Sequence, residues 1–233
     1  MSEIDVIREM AHQVLTVPTL TGGPDNWLWD RTQRIVRNVE HICRLPEVQR
    51  KEAAIDRFCL TGAAYFCDAG FARYADAENP AARMVLADLG PAELRDFSTQ
   101  TVTDKLAGAL AGPKIDKINR IIAESGNRFT DMPEAMILSD ARNLDDVGAV
   151  GIFNEFRRYV IHGKGATDVL ETWRRKVDYQ YWEARLKESF RFDSVRRLAQ
   201  QRFAATEAFM NQLTVENAAR DLEEIILESL GKS

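Results

Sequence analysis

The sequence predicts an all-α protein, and three observations carry that prediction. Alternating runs of β-branched residues, which would indicate strands, are nearly absent, whereas apolar residues recur with the 3.6-residue period of a helix along the 233 residues. Prolines and glycines fall between these periodic segments, where they end one helix or begin the next. No internal repeat, low-complexity tract or linker divides the chain. We therefore expect one structural domain overall, with a helix and loop over 1–25 packed on an all-α core of 26–233.

The individual helices follow from this periodicity and from its interruptions. The first ends before Pro18, because the residue that precedes a proline is pushed out of helical dihedrals. The second follows the loop TLTGGPDN, in which Asp25 or Asn26 can cap it. Pro91 and Pro133 stand where later helices begin. In chain order the predicted helices cover about 3–16, 26–44, 47–66, 80–88, 91–111, 113–124, 133–161, 166–188 and 192–229, some of them broken.

Composition and charge exclude several functional classes. With 45% hydrophobic and 29% charged residues, a chain of this length can bury a sizeable core without disulfides. A net charge of −5 and a pI of about 5.4 argue against a nucleic-acid partner and a membrane-surface partner. No apolar run approaches the roughly 20 residues that cross a bilayer, and the acidic start MSEIDVIREM is unlike a signal peptide. Three cysteines without a C-x-x-C motif favour reduced thiols and a cytoplasmic location.

The usual metal-site patterns are missing, but one carboxylate stands out. The sequence has no H-E-x-x-H motif and no cysteine quartet, and none of its three histidines has a second histidine one turn away. Asp68 directly follows the apolar stretch LTGAAYFC. A carboxylate at the inner end of a buried helix is costly unless it is paired or binds a metal. We therefore expect Asp68 to have a specific partner.

Four segments are notable for their patterns and for their order along the chain. They are RTQRIV at 31–36, LTGAAYFCDAG at 60–70, DARNLDDVGAVGIFNEF at 140–156 and VRRLAQQRFAATEAFMNQL at 195–213. The first three resemble the H-x-x-R-V helix, the helix that ends in His-Asp and the A-D-R-L-D helix leading into G-A-I-G of the HD-domain superfamily, which comprises all-helical, metal-dependent phosphohydrolases. The fourth is similar to the closing helix of a bacterial subfamily of small HD hydrolases. The resemblance covers about 26–216 and implies a single HD-domain-like helical bundle.

The resemblance also identifies where metal ligands would stand. In the family, two histidines and two aspartates hold a divalent metal, which activates water and neutralises the phosphoryl oxygens. Matched residue by residue, the first histidine falls on Arg31. The His-Asp pair falls on Cys67 and Asp68, and the final aspartate falls on Arg142. A further histidine that some members use for substrate falls near Ser125, so Asp68 alone matches the family's four ligands.

These substitutions predict a degenerate metal-binding motif. Arginine offers no lone pair and stays protonated, whereas hard divalent cations need carboxylate and neutral imidazole ligands. At about 4 Å and an effective dielectric constant of 20, a dication and one guanidinium repel each other by roughly 8 kcal/mol. A slip of one residue in the alignment would bring Asp140 or Asp145 nearer the site, but it would restore neither histidine. We expect no metal and no cofactor, with a divalent ion near Asp68 as the alternative.

The arginines suggest what stands in place of the metal. We expect Arg142 or Arg31 to pair with Asp68, because an arginine–carboxylate fork can satisfy a buried aspartate. Together with Arg34, these arginines would form a residual cationic pocket for a phosphate or a carboxylate. The candidate ligand-binding residues are Arg31, Arg34, Cys67, Asp68, Arg142 and Asp145.

Three functions are compatible with the sequence. The favoured one is an HD-fold binding or regulatory protein that has lost the usual phosphohydrolase activity and binds a small anion or a protein partner. The second is an active phosphohydrolase for a nucleotide or other phosphate ester, with relocated ligands drawn from Asp68, Asp140, Asp145 and His41. The third is a structural or homo-oligomeric protein, since TWRRKVDYQYWEARLKESFRF at 172–192 is rich in the aromatic and arginine residues that interfaces favour.

Overall fold

The computed structural model describes residues 2–18, 23–50, 54–74 and 90–231, and its regular structure is almost entirely helical. The predicted all-α class is therefore confirmed. Two short strands, β1 (Val17–Pro18) and β2 (Pro24–Asp25), pair antiparallel. The helices are α1 (Glu3–Leu15), α2 (Trp27–Ile42), α3 (Pro46–Gln49), α4 (Arg57–Phe66), α5 (Ala69–Tyr74), α6 (Pro91–Leu106), α7 (Gly112–Glu124), α8 (Pro133–Asp145), α9 (Gly148–Ile161), α10 (Ala166–Asp178), α11 (Tyr181–Glu188), α12 (Asp193–Asn217) and α13 (Arg220–Gly231).

Four of the long predicted helices are divided or shortened. The helix predicted over 47–66 is α3 and α4, because the Asp56 side chain accepts from the Cys59 N–H at 2.9 Å and begins a new helix. The helix predicted over 133–161 divides before Gly148, where φ is +78°. Those predicted over 166–188 and 192–229 divide at Gln180 and Ala219, which also have positive φ. Neither residue type signals a left-handed conformation, so periodicity alone misses these breaks. The helix predicted over 80–88 lies outside the described residues.

The chain forms two compact units. The first contains Met1–Asp145 and Ser189–Arg196, and the second contains Asp146–Glu188 and Arg197–Ser233. The expected boundary between 25 and 26 stays a prediction, although α1 does pack against α4 and α5 within the first unit.

The core of the first unit is built around α4. This helix lies against α1, α2, α7 and α8, and its small residues Gly62, Ala63 and Ala64 allow that close approach from several sides. Fully buried side chains fill the spaces between the helices, among them Ile7, Leu15, Ile35, Leu60, Phe66, Ile118, Ile121, Ile122, Ile137 and Leu138. Asp68 lies two residues beyond the end of this packed helix and is buried in the core.

The second unit has a smaller core. Tyr159, Val169 and Met210 are buried together, with Trp173 packed against them. The Trp173 ring also lies 5.8 Å from Trp182, between ring centroids, on α11. Residues 172–188 of the aromatic segment thus contribute to packing within this unit, as well as presenting exposed side chains.

The three cysteines are buried as free thiols, in keeping with the reduced state expected from the sequence. Among the described residues, no helix combines the length and the apolar character needed to span a bilayer.

Gly70 marks the closest approach between α5 and α6. A Cβ at this position would overlap the carbonyl oxygen of Leu94, which is backbone and cannot rotate away. We expect Gly70→Ala to lower the free energy of unfolding by about 1–3 kcal/mol through overpacking. Gly112→Ala is the matched control, since a Cβ there meets nothing within 4 Å. Urea denaturation of both variants tests this, and equal effects would contradict the packing argument.

Candidate functional site

Arg31 lies on the inward face of α2. The 3.6-residue period places it beside Leu28 and Ile35, which are also buried. Only 7% of Arg31 is exposed. A guanidinium at this depth requires anionic partners, because an unpaired buried charge is strongly destabilising.

Asp68 provides the first of these partners. Its carboxylate is fully buried directly after α4. Arg31 Nε donates to Oδ2 at 2.7 Å, and Arg142 Nη2 donates to Oδ1 at 2.8 Å. The predicted pairing of Asp68 with Arg142 or Arg31 is therefore confirmed, with both arginines engaged at once.

Asp145 closes the arrangement from α8. Arg31 Nη1 donates to Asp145 Oδ2 at 2.8 Å, and Arg34 Nε donates to Oδ1 at 2.6 Å. Arg142 and Asp145 are three residues apart, as are Arg31 and Arg34, so each helix presents two of these groups on one side. We call Arg31, Arg34, Asp68, Arg142 and Asp145 the arginine–aspartate network.

The network consists of three cations and two anions. Burial on its own would raise the pKa of Asp68, but Arg142 and Arg31 outweigh it and hold that pKa below its ordinary value. Burial would likewise lower the pKa of Arg142, and Asp68 raises it instead. The Arg31–Asp68–Arg142 contacts are therefore ion pairs at neutral pH, with charge-assisted hydrogen bonds.

Cys67 and Ser125 occupy the positions matched to the family's other functional side chains. Cys67 is 2% exposed, and its Sγ donates to the carbonyl oxygen of Ala64 at 3.5 Å. Burial raises the pKa of the Cys67 thiol to about 12, so it stays protonated. Ser125 ends α7 and donates to the Ile122 carbonyl oxygen at 2.7 Å. Both side chains thus donate hydrogen bonds to backbone carbonyl oxygens of the helices that they end.

The residues at the matched positions do not fit a divalent ion. Both oxygens of the one matched ligand, Asp68, accept from guanidinium groups. The neighbouring thiol remains neutral, and Arg31 offers no lone pair. Within the described part of the chain, no three or more His, Cys, Asp and Glu side chains form a group that could hold a metal.

The residues suggested as relocated metal ligands contact different partners and do not form one site. Asp145 contacts Arg31 and Arg34, as described above. Asp140, on another side of α8, is fully buried and accepts from the backbone N–H groups of Arg191 and Phe192 at 2.8 and 3.0 Å. His41 is exposed near the end of α2. Asp140 and Asp145 therefore face different directions.

Asp140 gives the first unit a pH-dependent stability. Burial raises its pKa to about 7, against about 4 in an unfolded chain, although the two backbone N–H groups oppose this shift. A raised carboxyl pKa means that the folded chain binds the extra proton, so the contribution of Asp140 to stability is largest below about pH 4 and is lost as the pH rises through 7. We expect this group to remove up to about 4 kcal/mol between pH 4 and pH 8.

Denaturation of the wild type and of Asp140→Asn at pH 5, 6, 7 and 8 measures this contribution. The stability of the wild type relative to the variant should fall as the pH rises, because the asparagine does not titrate. A relative stability that rises with pH would show that the two backbone hydrogen bonds dominate instead.

This chain is similar to known proteins in its structure, although its sequence matches none of the families or curated proteins compared. Bacillus subtilis YpgQ, in its crystal structure in complex with ADP, is 21% identical over 91% of this chain and 97% of that chain, with a TM-score of 0.58. The Lin1889 protein of Listeria innocua is 18% identical over 94% and 98% of the two chains, with a TM-score of 0.57. A protein of Lactobacillus plantarum is 18% identical over 93% and 97%, with a TM-score of 0.60.

At these identities the likeness establishes the fold. The chain is an all-α, HD-like helical bundle similar to YpgQ over nearly its full length, as the sequence predicts. The chemistry of this particular chain depends on the residues at its own site.

Proposed function

We propose that this chain is a non-catalytic HD-fold protein whose arginine–aspartate network stands in place of a metal centre and binds a small phosphorylated anion. The observation that carries the proposal is the double engagement of Asp68. Its two oxygens, which a metal ligand would turn toward an ion, accept from Arg31 at 2.7 Å and Arg142 at 2.8 Å.

The electrostatics of the site support the absence of a metal. Three guanidinium groups surround two carboxylates, so an incoming dication would meet repulsion without a free ligand set. Because arginine cannot deprotonate at physiological pH, this repulsion cannot be relieved by proton release. The protein is therefore expected to keep the network intact in millimolar Mn²⁺ or Mg²⁺.

The same features favour an anionic ligand. Arg34 and Arg142 each expose about a quarter of their side chains, at 25% and 24%, so both are within reach of a ligand at the surface. Arginine forks match phosphate geometry, so these partly exposed guanidinium groups suit a phosphate ligand. The ADP bound to the similarly folded YpgQ suggests a nucleoside diphosphate as the first ligand class to test.

Three measurements on the purified chain test the proposal. After dialysis against Mn²⁺, elemental analysis should find well below one metal per chain, and phosphate release from nucleotides should not rise with Mn²⁺. Calorimetric titration should detect ADP or inorganic phosphate, with Bacillus subtilis YpgQ as the positive control for ADP. Stoichiometric metal, or metal-dependent phosphate release, would instead support the active phosphohydrolase with relocated ligands.

A matched pair of variants locates the anion. Arg34→Gln removes a partly exposed cation while Arg31 continues to pair with Asp145, so the core should remain folded. We expect it to weaken anion binding about tenfold, which corresponds to one lost charge-assisted contact. Arg175→Gln, an exposed arginine in the second unit, is the control and should leave binding unchanged. Equal affinities for wild type and Arg34→Gln would place the anion elsewhere.

A further inference from the structure

The C-terminal helix α13 carries an apolar stripe that faces solvent. Leu222, Ile225, Ile226 and Leu230 recur at helical spacing, and they are 59%, 63%, 57% and 67% exposed. This spacing places them on one face of the helix. A helix of only 12 residues is marginal in water without tertiary packing. The stripe is therefore the surface through which α13 would gain stability from a partner.

A backbone turn at Ala219 separates α13 from α12. Ala219 has a φ of +53°, a left-handed conformation that a non-glycine residue rarely adopts. Its N–H donates to the Glu216 carbonyl oxygen, and its own carbonyl accepts from the Leu222 N–H, so α12 ends and α13 begins at this residue. The left-handed residue thus separates α13 from α12.

The charge of α13 identifies the partner surface. The helix contains one arginine and four acidic residues, Asp221, Glu223, Glu224 and Glu228, so its formal charge is −3. Two such helices side by side would bring like charges together, which disfavours pairing of α13 with another α13. A complementary surface should be apolar and bordered by cations.

Helix α9 in the same unit offers such a surface. Phe153 and Val160 are 61% and 70% exposed and lie on one helical face, seven residues apart. The segment from 148 to 164 contains Glu155 with Arg157, Arg158 and Lys164, so its formal charge is +2. We call this surface the Phe153–Val160 face.

We propose that α13 of one chain docks on the Phe153–Val160 face of a second copy, and that the exchange is reciprocal. Each dimer would then contain two equal contacts related by a twofold axis, which closes the assembly and prevents filaments. Burial of both apolar stripes would supply the driving force, and the opposite charges would set the register. This interface goes beyond the anion-binding role and does not depend on it.

Sedimentation of the full-length chain tests the association. We expect a dimer at about 100 µM, and Phe153→Asp, which sets a carboxylate against the acidic helix, should weaken the dimer at least tenfold. Phe129→Asp is the control, because Phe129 is 80% exposed but belongs to the first unit. A monomer at that concentration, or a dimer indifferent to Phe153→Asp, would overturn the proposal.

Inter-chain crosslinking tests the pairing itself. Phe153→Cys and Ile226→Cys chains are prepared separately and mixed under mild oxidation, since the three native cysteines are buried. A disulfide between the two variants should form at least tenfold faster than one between Ile226→Cys and Phe129→Cys. Faster crosslinking of Ile226→Cys with itself would overturn the docking surface in favour of paired α13 helices.

Discussion

Asp68→Asn should lower the free energy of unfolding by about 3–5 kcal/mol. The amide keeps the shape of the side chain but removes the charge, and it leaves Arg31 and Arg142 without their shared counter-ion. Removal of one member of a buried ion pair is costly because the remaining charge stays desolvated. Urea denaturation measures the change.

A surface carboxylate provides the comparison for this prediction. Glu3 pairs with Lys114, and both side chains are substantially exposed, at 51% and 39%. Glu3→Gln should therefore cost less than about 1 kcal/mol. The wild type should also lose stability as the pH falls below about 4, because a depressed carboxyl pKa stabilises the fold only above the unfolded value. A loss at Asp68 as small as that at Glu3 would contradict a paired, buried network.

The combined change Arg31→His, Cys67→His and Arg142→Asp should create a metal site. With Asp68 it supplies two imidazoles and two carboxylates at the positions that the superfamily resemblance identifies. These are the ligand types that divalent transition metals prefer. We expect the Mn²⁺ content after dialysis to rise from a small fraction to about one ion per chain, since the set matches the family's ligand set. Elemental analysis and metal-dependent thermal stabilisation provide the readout.

The control for this design is the single variant Arg31→His. It keeps Arg142 beside Asp68, so it should not retain the metal. Failure of the triple variant to bind Mn²⁺, while it remains folded, would show that the three matched positions do not converge as the alignment implies. Metal retention by the wild type would contradict the proposed function itself.

The sequence predicts the fold class well because helical periodicity is a local property. Ile35 and Val39 repeat at that period, and both are buried in α2. Helix boundaries are harder to predict where the break depends on tertiary context. Gln180 and Ala219 take positive φ although their side chains give no signal of it. Such breaks are selected by the packing of the segments on either side.

The site is predicted in part for a similar reason. Arg31, Asp68 and Arg142 could be matched to a family motif, and the loss of metal ligands together with the gain of cations suggested their pairing. The use of Asp145 to bridge Arg31 and Arg34 depends on the packing of α2 against α8, which the sequence does not specify. Asp140 is harder still, since its partners are backbone groups about 50 residues away. Contacts of that kind leave no residue-type signature.

The sharing of Asp68 between two arginines also constrains how such a protein can evolve. A single exchange of Arg31 for histidine removes one neutralising charge from two aspartates, and a single exchange of Arg142 for aspartate adds a third carboxylate to the same buried space. Each step costs several kcal/mol, out of a total stability of only about 5–15 kcal/mol. Intermediates on the way to a metal site would be counter-selected for misfolding. The network therefore makes a return to metal binding by single substitutions unfavourable. Selection for folding alone would preserve Asp68 in descendants that perform no phosphoryl chemistry.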